Sequence, residues 1–174
     1  MPFADAAESS LLRHVSFRMI RFARMPLDIT LPTTAGETRS ISRYRGGLVL
    51  VVAESRNHLP INATFKKNLE AFVKKSPKVA KQIELVAIAQ LQKEPSFARS
   101  IVDAFVTAEA KRTGTVIWLD WKGEALSAIG QRRDVDTPAY LLLDKLGDIR
   151  WGRFGKIHPE HEQALLEIIQ SLLA

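Results

Sequence analysis

Apolar and polar positions along the chain change period several times, and each change marks an element. From residue 27, in LDITLPTTAGETRSI, Ile29 and Leu31 alternate with polar neighbours. Ala35-Gly36 supplies a turn and Thr38 to Ile41 returns, the pattern of a short β-hairpin. Gly46-Gly47 breaks the chain before GLVLVVAE, whose unbroken apolar run from Leu48 to Ala53 fits a central strand covered on both faces. The period then becomes helical. Over residues 60–75 Ile61, Phe65, Leu69 and Phe72 recur on one side, Lys66, Lys67, Lys74 and Lys75 face water, and Pro60 suits a first helical position. A second strand is predicted over 83–91. A second helix follows over 95–112, with Phe97, Ile101, Phe105 and Ala108 as its inner stripe. TVIWLD, 115–120, reads as a third strand, and WKGEALSAIG as a turn and short helix. After the charged loop QRRDVDTP come a fourth strand, 139–144, a turn at Lys145-Leu146-Gly147-Asp148, and the returning strand IRWGRF. A closing helix turns Ala164, Leu165, Ile168, Leu172 and Leu173 inward.

This order is a β-hairpin, a βαβαβ unit, a short helix, a second hairpin and a terminal helix. Strands alternating with helices predict a largely parallel sheet, and the late hairpin adds antiparallel strands. The fold class is α/β: a mixed central sheet with helices on both faces and an N-terminal β-hairpin. Residues 27–174 form one domain and residues 1–26 a basic N-terminal segment.

That segment admits two readings. At 100° per residue Leu11, Leu12, Val15, Met19 and Phe22 share one helical face, with Arg13, Arg18, Arg21 and Arg24 mostly opposite. Alternatively Val15, Phe17 and Met19 alternate with Ser16 and Arg18 as in a strand. Leu12, Val15, Phe17, Met19 and Phe22 are candidate interaction residues, for the domain, a second subunit or, as an alternative, a membrane surface. The arginines interrupt any secretory signal, and no run approaches the roughly 20 apolar residues that span a bilayer. A cytoplasmic location is expected for the chain as it stands, a periplasmic one had a leader been removed.

Composition narrows the chemistry. The chain has 174 residues, 46% apolar and 25% charged, with net charge +6. That composition is globular. The basic residues form no dense tract interleaved with aromatics, so no specific nucleic-acid site is expected. There are no cysteines. Thiol–disulfide exchange, peroxide reduction through a sulfenic acid and thiolate-ligated metals are therefore excluded.

The stretches LDITLPTTAGETRSISRYRGGLVLVVAES and DTPAYLLLDKLGDIRWGRFG resemble the thioredoxin-like fold in its peroxiredoxin/TlpA form. Within it, SRNHLPINATFKKNLEAF and the LDK-x-G-x-I-x-W hairpin followed by a Pro-Glu helix look most like the YtfJ-like proteins, a family without a firmly assigned activity. The resemblance implies a reactive cysteine at the start of the first core helix. It places Arg56 or Asn57 at the attacking position, Pro60 near the resolving one, and Thr137-Pro138 where the fold carries a cis proline before its fourth strand.

What remains at that junction is a polar turn. Arg56, Asn57, His58, Thr137 and Pro138 are the ligand-binding candidates, with a small anion as the ligand that a helix start would attract. No catalytic residue, metal or cofactor is expected: His58 shows no serine or carboxylate partner in the sequence. His158 and His161 lie in a helix-opening turn, and Asp134 and Asp136 read as a solvated loop offset by Arg132 and Arg133. Trp118, Trp121 and Trp151 are expected in the core or on a sheet face, and exposure of Trp121 and Trp151 together would instead mark a partner surface. The expected function is a redox-inactive binding module that engages a protein partner or forms a homodimer. The alternative is a cysteine-free small-molecule enzyme or anion binder at the turn Arg56–Pro60 and the Pro138 loop.

Overall fold

A computed structural model describes residues 26–174. The candidate interaction residues Leu12, Val15, Phe17, Met19 and Phe22 lie outside the described residues. The first described element is the antiparallel pair β1 (Thr30–Pro32) and β2 (Thr38–Ser40), turned at Gly36, whose φ of 80° suits glycine. The central sheet has the order β5-β4-β3-β6-β7. Its strands are β3 (Leu48–Glu54), β4 (Ile83–Gln90), β5 (Ile117–Asp120), β6 (Ala139–Leu143) and β7 (Ile149–Phe154). The first three run parallel and β6 and β7 are antiparallel to their neighbours, so the sheet is mixed as expected.

Side chains alternate between two cores because successive strand residues point to opposite faces. Val49, Val51 and Ala53 pack with Leu27, Ile29, Leu31 and Trp118, under the short helix α4 (Glu124–Ala128). Leu48 and Leu50 pack with Phe65 and Leu69 of α1 (Ala63–Lys75) and with Leu165, Ile169 and Leu173 of α5 (Pro159–Leu173). Tyr140 and Trp151 join this second core. Between α1 and β4 the connector forms one more turn of helix, α2 (Pro77–Ala80). The other crossover helix, α3 (Arg99–Thr113), ends at Gly114 in the left-handed region.

Several expectations change. The first helix does not start at Pro60. A 3-10 turn, Arg56–His58, comes first, and α1 begins after Asn62, whose side chain is committed to distant backbone and to Tyr140. Lys66 is half-buried against Glu54 and does not simply face water. In α5 the buried stripe is Leu165, Ile169 and Leu173. The Thr137–Pro138 bond is trans, like every peptide bond among the described residues, trans being the lower-energy form without a constraint imposing cis. The largest change is in α3. Its expected inner stripe is outermost: Phe97, Ile101 and Phe105 are 86%, 72% and 56% exposed. Val106 and Ala110 are the buried residues of that helix. Val102, Val106 and Ala110 form a second apolar stripe one residue, about 100°, from Ile101 and Phe105. A helix laid over the β4–β5 edge buries only one of the two.

Candidate functional site

Strand β3 ends at Glu54 and the loop 132–138 feeds β6, where Ala53 and Ala139 are paired. The turn after β3 and the loop before β6 therefore meet at one end of the sheet. Three side chains tie them together. His58 turns inward, 5% exposed. Its Nε2 lies 3.0 Å from Asp136 Oδ1, and its Nδ1 accepts from the Ser55 backbone N–H at 3.2 Å. That pattern puts the ring hydrogen on Nε2, facing the carboxylate. The Ser55 hydroxyl lies 3.2 Å from both His58 Nδ1 and Asp136 Oδ1.

A serine, a histidine and an aspartate thus converge from positions 81 residues apart. The sequence gives no hint of this closure, and His58, expected to lack serine and carboxylate partners, has both. The arrangement is a clamp. A nucleophilic relay keeps serine and aspartate on opposite sides of the imidazole and leaves the basic nitrogen to the hydroxyl. Here one aspartate oxygen contacts both serine and histidine, and the backbone of Ser55 shares the basic nitrogen. The same loop is held twice more from β4 and its extension. Gln90 Nε2 donates to the carbonyls of Ala53 and Thr137 at 3.1 and 3.0 Å, and Gln92 Nε2 to Val135 O at 3.3 Å.

Under the clamp lies a buried polar network. Glu54 accepts the Tyr140 hydroxyl and Lys66 Nζ, the latter at 2.7 Å. Asn62 Nδ2 donates to Tyr140 Oη at 2.8 Å and Gly155 O at 2.9 Å, while its Oδ1 accepts Ile157 N–H at 2.8 Å. Burial, and then the Glu54 carboxylate, hold the Tyr140 hydroxyl well above the usual phenol range. The network fixes β3, α1, β6 and the β7–α5 connection to one another.

Beside the clamp an apolar groove of about 280 Å³ opens between the sheet and α3. Val52, Ala87 and Ala89 of the sheet, Ile101 and Phe105 of α3, and Leu59 from the turn after β3 line it. Leu59 is 50% exposed and lines the groove with the exposed Ile101 and Phe105, an apolar rim of the kind associated with binding surfaces.

The structure distributes the predicted ligand residues unevenly. Arg56 and Asn57 are exposed at the tip of the turn, and only Arg56 of the five lines the groove. His58 is consumed by the clamp, Thr137 contributes its carbonyl to Gln90, and Pro138 is buried. The turn is a three-residue 3-10 segment and α1 starts beyond it, so Arg56–His58 do not form the start of that helix. Asp134 and Asp136 are not a carboxylate pair: Arg132 beside Asp134 holds that carboxyl below its ordinary value, while Asp136 goes to His58. His158 and His161 stack edge to face with ring centres 5.5 Å apart. His161 is lowered from its ordinary value by burial first and Arg153 next. Among the described residues no group of three or more histidine or acidic side chains is placed to hold a metal. Trp118 and Trp151 are buried, and Trp121 lies under the Arg99 guanidinium at 4.7 Å, so the tryptophan surface does not form. No helix among the described residues is long and apolar enough to cross a membrane.

The residues missed by sequence reasoning are Glu54, Asn62, Asp136 as the partner of His58, and the groove side chains Leu59, Ile101 and Phe105. Only Ile101 and Phe105 had a signal: two apolar stripes on α3, wider than one sheet edge covers.

No protein-family model and no curated protein matches the chain. Solved structures do. A thioredoxin-like superfamily protein is 17% identical with a TM-score of 0.64, over 87% of this chain and 97% of that one. A DsbF homologue from Corynebacterium diphtheriae is 15% identical with a TM-score of 0.61, over 84% and 85%. StoA from Bacillus subtilis is 20% identical with a TM-score of 0.52, over 83% and 98%. With this likeness over most of its length and the mixed five-stranded sheet, the chain has the thioredoxin-like fold.

Proposed function

We propose that the protein is a redox-inactive thioredoxin-like binding module that works by protein association through the groove between the sheet and α3. The single observation that carries this reading is the exposed apolar rim of Leu59, Ile101 and Phe105 around that groove. Exposing three large apolar side chains in one patch has a solubility cost that association removes. The absence of cysteine supports the redox-inactive part, since the chain has no thiol for the exchange chemistry of its fold. The clamp supports binding over chemistry at the turn, because His58 and Asp136 are engaged with each other. Kinship with the YtfJ-like proteins is part of the proposal and rests on the LDK-x-G-x-I-x-W hairpin and the helix that follows it.

Self-association is the form of the reading to test first. Light scattering after size exclusion, across a concentration series, compares the full chain with the double variant Ile101→Glu, Phe105→Glu. Both positions are exposed, so the variant keeps its melting temperature. The expected result is a full chain larger than a monomer and a variant shifted toward monomer. An oligomer that the variant leaves unchanged removes the groove as the interface.

A further inference from the structure

We propose that the groove receives residues 11–22 of a second copy of this chain, so that two copies exchange their N-terminal segments. The proposal rests on the association reading above and names the occupant of the groove.

Three observations point to this occupant. The first is shape and polarity. Bound as a helix, the segment would place Leu11, Leu12, Val15, Met19 and Phe22 on one face, which at about 1.5 Å per residue spans about 16 Å. The groove runs along α3 from Ile101 to Glu109, about 12 Å by the same rise, and Leu59 extends its apolar rim. A helix in a groove of this kind anchors through side chains spaced three and four residues apart.

The second is charge. The groove is lined by three acidic residues, Glu54, Glu94 and Glu109, against one basic residue, Arg56. Lys66 already holds the buried Glu54, and Glu109 is in an exposed, weakly held pair with Arg112, so Glu94 and Glu109 are the acids open to an incoming cation, in a chain of net charge +6. Residues 11–24 carry Arg13, Arg18, Arg21 and Arg24 and no acid. The segment thus offers apolar side chains for the apolar floor and arginines for Glu94 and Glu109.

The third is the tether, and it selects a second copy over the same one. Leu27 N–H is bonded to Gly147 O at 2.9 Å, in the turn between β6 and β7. That turn is at the opposite end of the sheet from the groove. Leu27 also packs on the face of Val49 and Val51, whereas the groove lies over Val52 on the other face. From Leu48 to Val52 is about 13 Å along the strand, and from β6 to β4 about 10 Å across it. From Phe22 to Pro26, which packs beside Gly147, is four residue steps, at most about 14 Å, against about 16 Å in a straight line and more round the sheet edge. The segment cannot lay its whole apolar face in its own groove. A second copy meets no such restriction, and the exchange is reciprocal, giving two equivalent contacts about a two-fold axis.

The test uses full-length protein throughout. Light scattering is read on the wild type, on Leu12→Glu, Val15→Glu and on Ile101→Glu, Phe105→Glu. A fluorescein-labelled peptide of residues 8–25 is then titrated into each variant and followed by anisotropy. The expected result is a dimer for the wild type and a dissociation constant at least about ten-fold weaker for both variants, as for loss of buried apolar anchors. The peptide binds the segment variant, whose groove is vacant and intact, and not the groove variant. A dimer lost in the groove variant but unchanged in the segment variant overturns the proposal and leaves the association reading standing. A monomeric wild type that resists the peptide, beside a segment variant that takes it, means each segment covers its own groove and overturns the exchange. A peptide that binds neither variant overturns the assignment of the occupant.

Discussion

Asn62→Ala removes a side chain that is 2% exposed and makes three hydrogen bonds to groups up to 95 residues away. Each bond contributes about 1 kcal/mol net, and a buried group left without a partner costs about 1–3 kcal/mol. Alanine leaves Ile157 N–H without its 2.8 Å acceptor and takes a donor from both Gly155 O and Tyr140 Oη. The tyrosine keeps its bond to Glu54, so its loss is partial. The summed effect is about 3–4 kcal/mol, a large part of the roughly 5–15 kcal/mol available to a domain. At about 2–4 °C per kcal/mol for a domain of this size, the melting temperature falls by about 10 °C. Thermal unfolding followed by circular dichroism and calorimetry reads both quantities. The double variant with Tyr140→Phe adds a check. Because Asn62 and Tyr140 share a bond, the two losses overlap by about 1 kcal/mol and do not sum. A fall of less than about 1 kcal/mol for Asn62→Ala would show that water replaces its partners and would refute the claim that the network locks α1 to the β7–α5 connection.

Phe97→Ser, at a site 86% exposed, leaves stability within about 0.5 kcal/mol, whereas Val106→Ala costs about 2 kcal/mol; denaturant midpoints compare them, and the reverse order would restore the original assignment of the inner stripe. Gly123→Ala destabilises by about 2 kcal/mol or more, because its φ is 69° and an added Cβ would stand 2.6 Å from Arg133 O; an unchanged melt would mean that the 132–138 loop gives way freely. The raised Tyr140 hydroxyl predicts a sign at alkaline pH. In the unfolded chain the phenol loses its proton near its ordinary value of 10.0, while the folded chain still holds it. Stability is then full below that pH and falls as pH rises above it. Tyr140→Phe flattens this part of the pH–stability curve, and parallel curves for the two proteins would count against the assignment. Asp136→Ala frees His58 and loosens the loop 132–138, read as faster amide hydrogen exchange there; unchanged exchange would show that Gln90 and Gln92 hold the loop alone.

The order of elements could be read because each rests on local pattern. GLVLVVAE, β-branched and bounded by Gly46-Gly47, fits a strand covered on both faces, Gly36 and Gly147 mark turns that take a positive φ, and the missing cysteine is a fact of composition. Even the boundaries of β4, β6 and α5 follow from where the apolar period begins and stops. The site could not be read in the same way. His58 meets Asp136 only because β3 and β6 are paired side by side, and Asn62 displaces the helix start from Pro60 only because Tyr140, Gly155 and Ile157 come to it from the far end of the chain. In α3 the two apolar stripes are equivalent along the sequence. Which one is buried depends on how the helix sits over the β4–β5 edge, and that packing alone turned Ile101 and Phe105 toward the groove. Local hydrophobic period sets which segments become strands and helices; contacts between residues far apart in the chain set which side chains are left to meet a partner.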